Sequence, residues 1–339
     1  MKLYAAIDLH SNNNVLVILD EHDQIIFERR LANDLWMVLG ALAPYRENVQ
    51  AVAVESTYNW YWLVDGLMEN GYEVKLVNTA AVKTYEGLKY TGDEHDARHL
   101  AHLMRLGLLP TGYIYPKEER AVRDLLRKRS QLVRCRTAQI LGIQNLVSRN
   151  TGHGISTKDI RKLGEEEVER LCGGDVDRSL AIKSNLAVLQ CLDERIRMLE
   201  GHVFARAKMK PAFEPLLTVD GIGKVLGMTI MYETGTVERF GKVGQFASYA
   251  RCVGSERFSN GKKKGEGNRK NGNKYLGWAF VEAAHFAVCY NERIRRFHQR
   301  KKAKTNGIVA TKAVAHKLAR ACYHVLKDQV PFDVDRAFG

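Results

Sequence analysis

Long apolar runs are missing from this chain. None reaches the roughly 18 residues that a membrane-spanning helix needs, so no transmembrane segment is expected. The first segment, MKLYAAIDLHSNNN, meets an acid at residue 8 and so lacks the apolar stretch of a signal peptide. Cysteine is sparse. Cys135, Cys172, Cys191, Cys252, Cys289 and Cys322 are scattered, and none falls in a CxxC pair. That spacing argues against a zinc ribbon or a disulfide framework and points to a reduced, cytoplasmic protein. HExxH pairs and internal repeats are absent as well.

What is present is a globular composition. Of 339 residues, 45% are hydrophobic and 27% charged, which excludes a wholly disordered chain. The length suits about two or three domains. Charge is divided unevenly. Residues 1–100 carry 8 Lys+Arg against 15 Asp+Glu, a net of −7, so the remainder carries +20 of the overall +13. Residues 257–304 alone hold 14 basic and 3 acidic residues. An acidic front and a basic remainder are expected when one part holds cations and the other a polyanion. The partner this favours is nucleic acid.

Residues 3–8, 14–20 and 24–31 read as three strands of an antiparallel meander, followed by a helix over 34–44. An apolar run at 50–54, a helical pattern over 59–70, a strand at 73–77 and a helix over 93–107 complete an α/β unit. The order fits an RNase H-like, RuvC-like mixed sheet. Residues 117–149 and 176–208 have helical periodicity, with Arg127, Lys128 and Arg129 among the basic residues of the first. The pair reads as an antiparallel coiled-coil arm. FEPLLTVDGIGKVLGMTIMYE has the pattern of a helix-hairpin-helix. There, backbone N–H groups around Gly221 and Gly223, with Lys224, can hold a DNA phosphate. Residues 254–275, rich in Gly, Asn and Lys, read as a long polar loop between helical stretches, and residues 276–328 as helical. The expected division is 1–116 for the metal-binding domain, 117–209 for the arm and 210–339 for a mainly helical C-terminal domain.

Four acids stand out. Asp8 ends the first strand, Glu55 ends the fourth, and Asp93 and Asp96 are spaced i,i+3 on one helix. Carboxylates gathered that closely repel unless cations neutralise them, and hard oxygen ligands suit Mg²⁺ or Mn²⁺. Two such ions can activate and stabilise both oxygens of a phosphoryl transfer. Each acid taken singly is as readily a turn residue or, for Asp93, a helix N-cap. His95, His99 and His102 share that helix and are weaker candidates for a transition metal. Tyr58, Trp60, Tyr61 and Trp62 could stack on bases, although core packing is the commoner use of such a cluster.

At this point the residues reach a resemblance. AIDLH, the VES after an apolar run and DEHDARHLA together resemble the RuvC-like part of the DEDD insertion-sequence transposases of the IS110 family, relatives of the Piv-type DNA invertases. The segment from Gly221 to Leu276 resembles the family's second domain, with its GIG, E-x-G, RF, YA and GN pieces in order. The resemblance covers almost the whole chain. It implies that Asp8, Glu55, Asp93 and Asp96 bind metal and that Ser259 is a nucleophile forming a phosphoserine with DNA. Ser255 is a nearby competitor. It also implies donor and target DNA, a structured non-coding guide RNA, an assembly of two to four copies and a site completed between subunits. Lys262, Lys263, Lys264, Arg269, Lys270 and Lys274 surround the serine and can attract phosphate. Two departures are visible: Lys89-Tyr90-Thr91-Gly92-Asp93 replaces Lys-Thr-Asp, and Ser259-Asn260-Gly261 replaces Ser-Gly. Alternatives at this stage are a RuvC-like nuclease or junction resolvase without a covalent intermediate, and a non-enzymatic nucleic-acid-binding protein.

Overall fold

The structure, a computed structural model, describes residues 1–82, 92–254, 256–266 and 271–339. It divides into two compact units, Met1–Lys117 and Glu118–Gly339.

The first unit is built on a mixed five-stranded sheet: β1 (Leu3–Leu9), β2 (Asn13–Leu19), β3 (Ile25–Ala32), β4 (Val49–Glu55) and β5 (Val74–Val77). Spatial order is β3-β2-β1-β4-β5. The first three strands pair antiparallel, whereas β4 runs parallel to both β1 and β5. Parallel neighbours need crossovers, and α1 (Leu35–Leu42) and α2 (Tyr61–Glu69) lie in these connections. This arrangement is consistent with an α/β RNase H-like fold.

β1 is an unbroken apolar run up to its acid because both its faces are covered. Leu3, Ala5, Ile7 and Leu9 point to one side and pack in a cluster with Val38, Leu42, Leu63 and Leu67 of α1 and α2. Ala6 points to the other, with Ala53 of β4, against Ala97, Leu100 and Ala101 of α3 (Asp93–Arg105). Small residues on both surfaces let this helix approach the sheet closely.

Among the described residues, the regular structure of the second unit is helical apart from one hairpin. Its elements are α4 (Lys117–Thr151), α5 (Thr157–Ile160), α6 (Glu165–Cys172), α7 (Val176–Ala207), α8 (Phe213–Leu217), α9 (Lys224–Thr234) and α10 (Val243–Tyr249). The strands β6 (Glu256–Ser259) and β7 (Lys262–Glu266) follow, then α11 (Lys274–Tyr290), α12 (Glu292–Lys304), α13 (Gly307–Asp328) and α14 (Val334–Phe338). Along the antiparallel pair α4 and α7, Arg129 bonds Glu200 at 2.7 Å and Arg136 bonds Asp193 at 2.9 Å. Ile140, Ile143 and Val147 share a buried cluster with Ile182, Leu186 and Leu189. The main core gathers Phe213, Tyr232, Phe246, Phe280 and Leu318 from five helices.

The expected polar loop is corrected here: it contains β6 and β7, paired antiparallel with Ser259 opposite Lys262. Asn260 and Gly261 form the two-residue turn at φ +50° and +68°. Asn-Gly is the strongest short hairpin signal, because both residues tolerate positive φ. It is inconspicuous here because the flanking strands are polar and lack apolar alternation.

Among the described residues, no helix is long and apolar enough to cross a membrane. All six cysteines are free thiols.

Candidate active site

Strand periodicity assembles the acids. Ala6 pairs in register with Ala53, both on the side that α3 covers. Two residues further along each strand, on the same face, come Asp8 and Glu55. Asp93 and Asp96 occupy the first turn of α3, where carboxylates favour the positive end of the helix dipole. Gly92, not Asp93, is the N-cap, so the Asp93 side chain is free of capping.

The electrostatics carry the signature of convergence. Asp8 is only 4% exposed. Burial first, then the hydrogen bond and charge of Asp8 and the charge of Asp96, push the Glu55 carboxyl up to about 8. Asp96 is raised by partial burial and then by Asp8. Asp93 is held below the usual carboxylate range, chiefly by its hydrogen bond from Arg30, at 2.6 Å.

Two participants were not singled out in the sequence. His10 Nε2 lies 3.3 Å from Asp8 Oδ2 and 3.2 Å from Asp93 Oδ2. Ligand atoms of Asp8, His10 and Asp93 all fall within 4.8 Å of one another, a grouping able to hold a cation. The available signal was Asp8-x-His10, since alternate residues continuing a strand project to one side. Arg30 on β3 is the second, and no short motif marks it. On α3, His102 Nδ1 sits 3.0 Å from Asp23 Oδ2, away from the acids on the sheet ends. Trp60 is buried, and Tyr61 and Trp62 pack against the sheet core, leaving only Tyr58 of that cluster fully exposed.

In the second unit Ser259 ends β6 and is exposed, immediately before the turn. Lys262, Lys263 and Lys264 on β7 are exposed, as is Lys274 at the start of α11. Ser255, Arg269 and Lys270 lie outside the described residues, as do Lys89, Tyr90 and Thr91 of the altered motif. Gly223 is an exposed N-cap with open space around it, and Lys224 Nζ lies over the Phe204 ring at 4.3 Å. Gly221 has a packing role. At φ +84°, a Cβ there would fall 2.2 Å from the Ala283 carbonyl oxygen of α11.

Arg127, Lys128, Arg129 and Arg136 of α4 have protein partners. Arg127 binds Glu233 through two bonds of 2.7 and 2.8 Å, and Lys128 reaches Gln131. Glu233 is 2% exposed whereas the Arg127 side chain is about a third open, so the pair is half-buried and losing Arg127 would leave a buried carboxylate short of its charge partner. A basic helix not singled out in the sequence is α12, ERIRRFHQRKKAK, whose seven Lys and Arg include Arg293 and Arg296, paired with Asp335 and Glu292.

Carboxylates at the ends of adjacent central strands, closed over by an acidic helix turn, make an acidic cluster on a sheet consistent with an RNase H-like fold, and Asp8, His10 and Asp93 within it could hold a cation. The comparisons agree. A DEDD transposase model of IS110, described as "Transposase", matches residues 5–149, which contain all four acids. A second, described as "Transposase IS116/IS110/IS902 family", matches residues 214–299, which contain Ser259. Together they span about two thirds of the chain. The chain is 27% identical over 291 residues to a "Probable family 20 transposase" of Pseudomonas aeruginosa, covering 81% of this chain and 83% of that protein. It is 24% identical over 277 residues to the "Transposase for insertion sequence element IS1111A" of Coxiella burnetii, covering 78% and 72%. The chain belongs to the IS110 family of DEDD transposases, enzymes that act on DNA.

Proposed function

We propose that this transposase cuts and rejoins DNA strands through a phosphoserine on Ser259, with divalent cations held by Asp8, Glu55, Asp93 and Asp96. The observation that carries the metal reading is geometric: ligand atoms of Asp8, His10 and Asp93 lie within 4.8 Å of one another, and beside them burial and then Asp8 push the Glu55 carboxyl up to about 8. Oxygen donors gathered this closely, with Glu55 and Asp96 raised by burial and by the charge of neighbouring acids, fit a cation. Mg²⁺ is the first choice and Mn²⁺ the second, because the donors are mainly carboxylate oxygens. Bound there, the ions would stabilise charge on the oxygens of the phosphoryl group being transferred.

Ser259 performs a transesterification. Its Oγ gives up a proton and forms a P–O bond to the DNA phosphate. The bond from that phosphorus to a deoxyribose oxygen breaks, and that oxygen takes up a proton. Rejoining reverses the step with a hydroxyl of the exchanged strand, so no external energy source is needed. Exposure of Ser259 at a tight Asn-Gly turn suits approach to a phosphate, and Lys262, Lys263 and Lys264 supply charge for it. Gly223, Lys224 and Lys274 add further phosphate contacts, and the pair α4 and α7 acts as a coiled-coil arm. The sequence resemblance alone supports a structured non-coding guide RNA, an assembly of up to four copies and completion of the site between subunits. It also supports work at the nucleoid in the cytoplasm.

Covalent trapping tests the reading. Purified protein, Mg²⁺, the RNA flanking its own locus and labelled donor and target DNA are mixed and run on a denaturing protein gel. A labelled adduct in wild type, absent in Ser259→Ala and in Asp8→Ala, is expected. Cut DNA without an adduct, undiminished in Ser259→Ala, would replace this reading with metal-activated hydrolysis.

A further inference from the structure

The pieces that carry the resemblance in the second unit include Glu233, Tyr249, Gly272 and Asn273, and none of them has a role in the chemistry above. In the structure they meet. Asn273 Nδ2 donates to Glu233 Oε2 at 2.7 Å, inside the protein, while Arg127 grips the same carboxylate from the other side. Asn273 Oδ1 accepts from the N–H groups of Tyr275 and Leu276 and so caps α11. Its own N–H donates to the Tyr249 carbonyl at 2.6 Å. Gly272, at φ +84°, lies so close that a Cβ would fall 2.5 Å from that carbonyl. Arg251 Nε donates to the carbonyls of Asn271 and Gly272, both at 3.1 Å. Arg239 stacks on the Tyr249 ring at 4.4 Å.

These contacts tie residues 249–251 to residues 271–273, the two points between which the segment carrying Ser259 leaves and re-enters the unit. A two-stranded hairpin of largely polar sequence is marginal by itself. Its placement therefore depends on its base. We propose that Glu233, acting through Asn273, is a positioning residue that clamps the base of the serine hairpin and so sets where Ser259 meets DNA. This rests on the reading of Ser259 as nucleophile. Glu233 itself, 2% exposed, touches no substrate.

Asn273→Asp isolates the tie, because aspartate still caps α11 but presents an oxygen to Glu233 in place of the donor. Two readouts on the full-length protein are followed: hydrogen exchange of the amides of residues 256–266, and the rate of adduct formation on the element's own end DNA. For Asn273→Asp, exchange is expected to rise and adduct formation to slow by about tenfold or more, the equivalent of one lost charge-assisted hydrogen bond. Cooperative melting is expected to persist. Wild-type exchange in the hairpin of Asn273→Asp would overturn the proposal. Should Asn273→Asp fail to melt cooperatively, Asn273→Ser takes its place, since serine caps the helix but is too short to reach Glu233. An adduct that survives Ser259→Ala would sink the nucleophile reading alone, while the exchange data would still decide the clamp.

Discussion

Asp8 and Glu55 lie at the ends of adjacent parallel strands, and burial, then the hydrogen bond and charge of Asp8, push the Glu55 carboxyl up to about 8. In the unfolded chain a glutamate loses its proton near pH 4.3. Between these values the folded, metal-free protein holds more protons than the unfolded one, so its stability falls as pH rises. Thermal unfolding in chelator is expected to show the melting temperature dropping by at least about 3 °C from pH 5.5 to 8.5, corresponding to about 1 kcal/mol. Asp8→Asn should flatten that slope, raise the melting temperature at pH 8 and abolish strand cleavage. A wild-type melting temperature independent of pH in chelator would contradict the convergence of these acids.

In the proposed cation site His10 would add one nitrogen beside the oxygens. Imidazole contributes more to softer metals than to Mg²⁺. His10→Ala is therefore expected to weaken Mn²⁺ binding by about tenfold or more while changing Mg²⁺ binding less. Calorimetric titration of both metals into the two proteins measures this. Equal losses would leave His10 a hydrogen-bonding neighbour.

Close packing of α3 on the sheet sets the reach of Asp93 and Asp96. Ala97 is fully buried against Ala6 and Ala53. Ala97→Leu adds volume where none is available, at a cost of about 1–3 kcal/mol, and lifts the helix from the sheet. Cleavage should fall much further than stability, because a displacement near 1 Å can cost about a hundredfold in rate. Comparing single-turnover cleavage with melting temperature separates the two effects.

The acid site was legible in the sequence because it follows from local rules. Apolar runs end in Asp8 and Glu55, and an i,i+3 pair opens an amphipathic helix. Period-two alternation, applied as far as His10, reaches the third member of the cation grouping as well. Arg30 was not legible: its contact with Asp93 depends on β3 and α3 being brought together across 63 residues. The same limit hid the pairing of Arg127 with Glu233, 106 residues apart, so the charge of α4 read as available for nucleic acid. The hairpin was missed for a different reason. Its Asn-Gly turn was in view, but polar strands carry no hydrophobic alternation to announce them.

The two glycines of GIG make opposite predictions. Gly221→Ala drives a Cβ into the α11 backbone from a left-handed conformation and should cost about 3 kcal/mol or more. Gly223 has open space and an ordinary φ of −89°, so Gly223→Ala should fold normally. Weaker DNA binding in folded Gly223→Ala, by filter binding at fixed salt, is the expected sign of a phosphate on that helix N-terminus. Unchanged binding would leave the GIG turn with a packing role only.

The hairpin lysines are testable through salt. Each phosphate contact releases about 0.9 counterion from duplex DNA, so the slope of log affinity against log salt counts contacts. Replacing Lys262, Lys263 and Lys264 by alanine should reduce that slope by up to about 3 if all three touch phosphate. These side chains are exposed and contribute no core, so melting should change little. Ser259→Ala is the control, since it removes the hydroxyl and leaves the charges and hence the slope in place. A triple variant with the wild-type slope would place the DNA backbone elsewhere on the basic unit, and α12, with its seven basic residues, would be the next surface to alter.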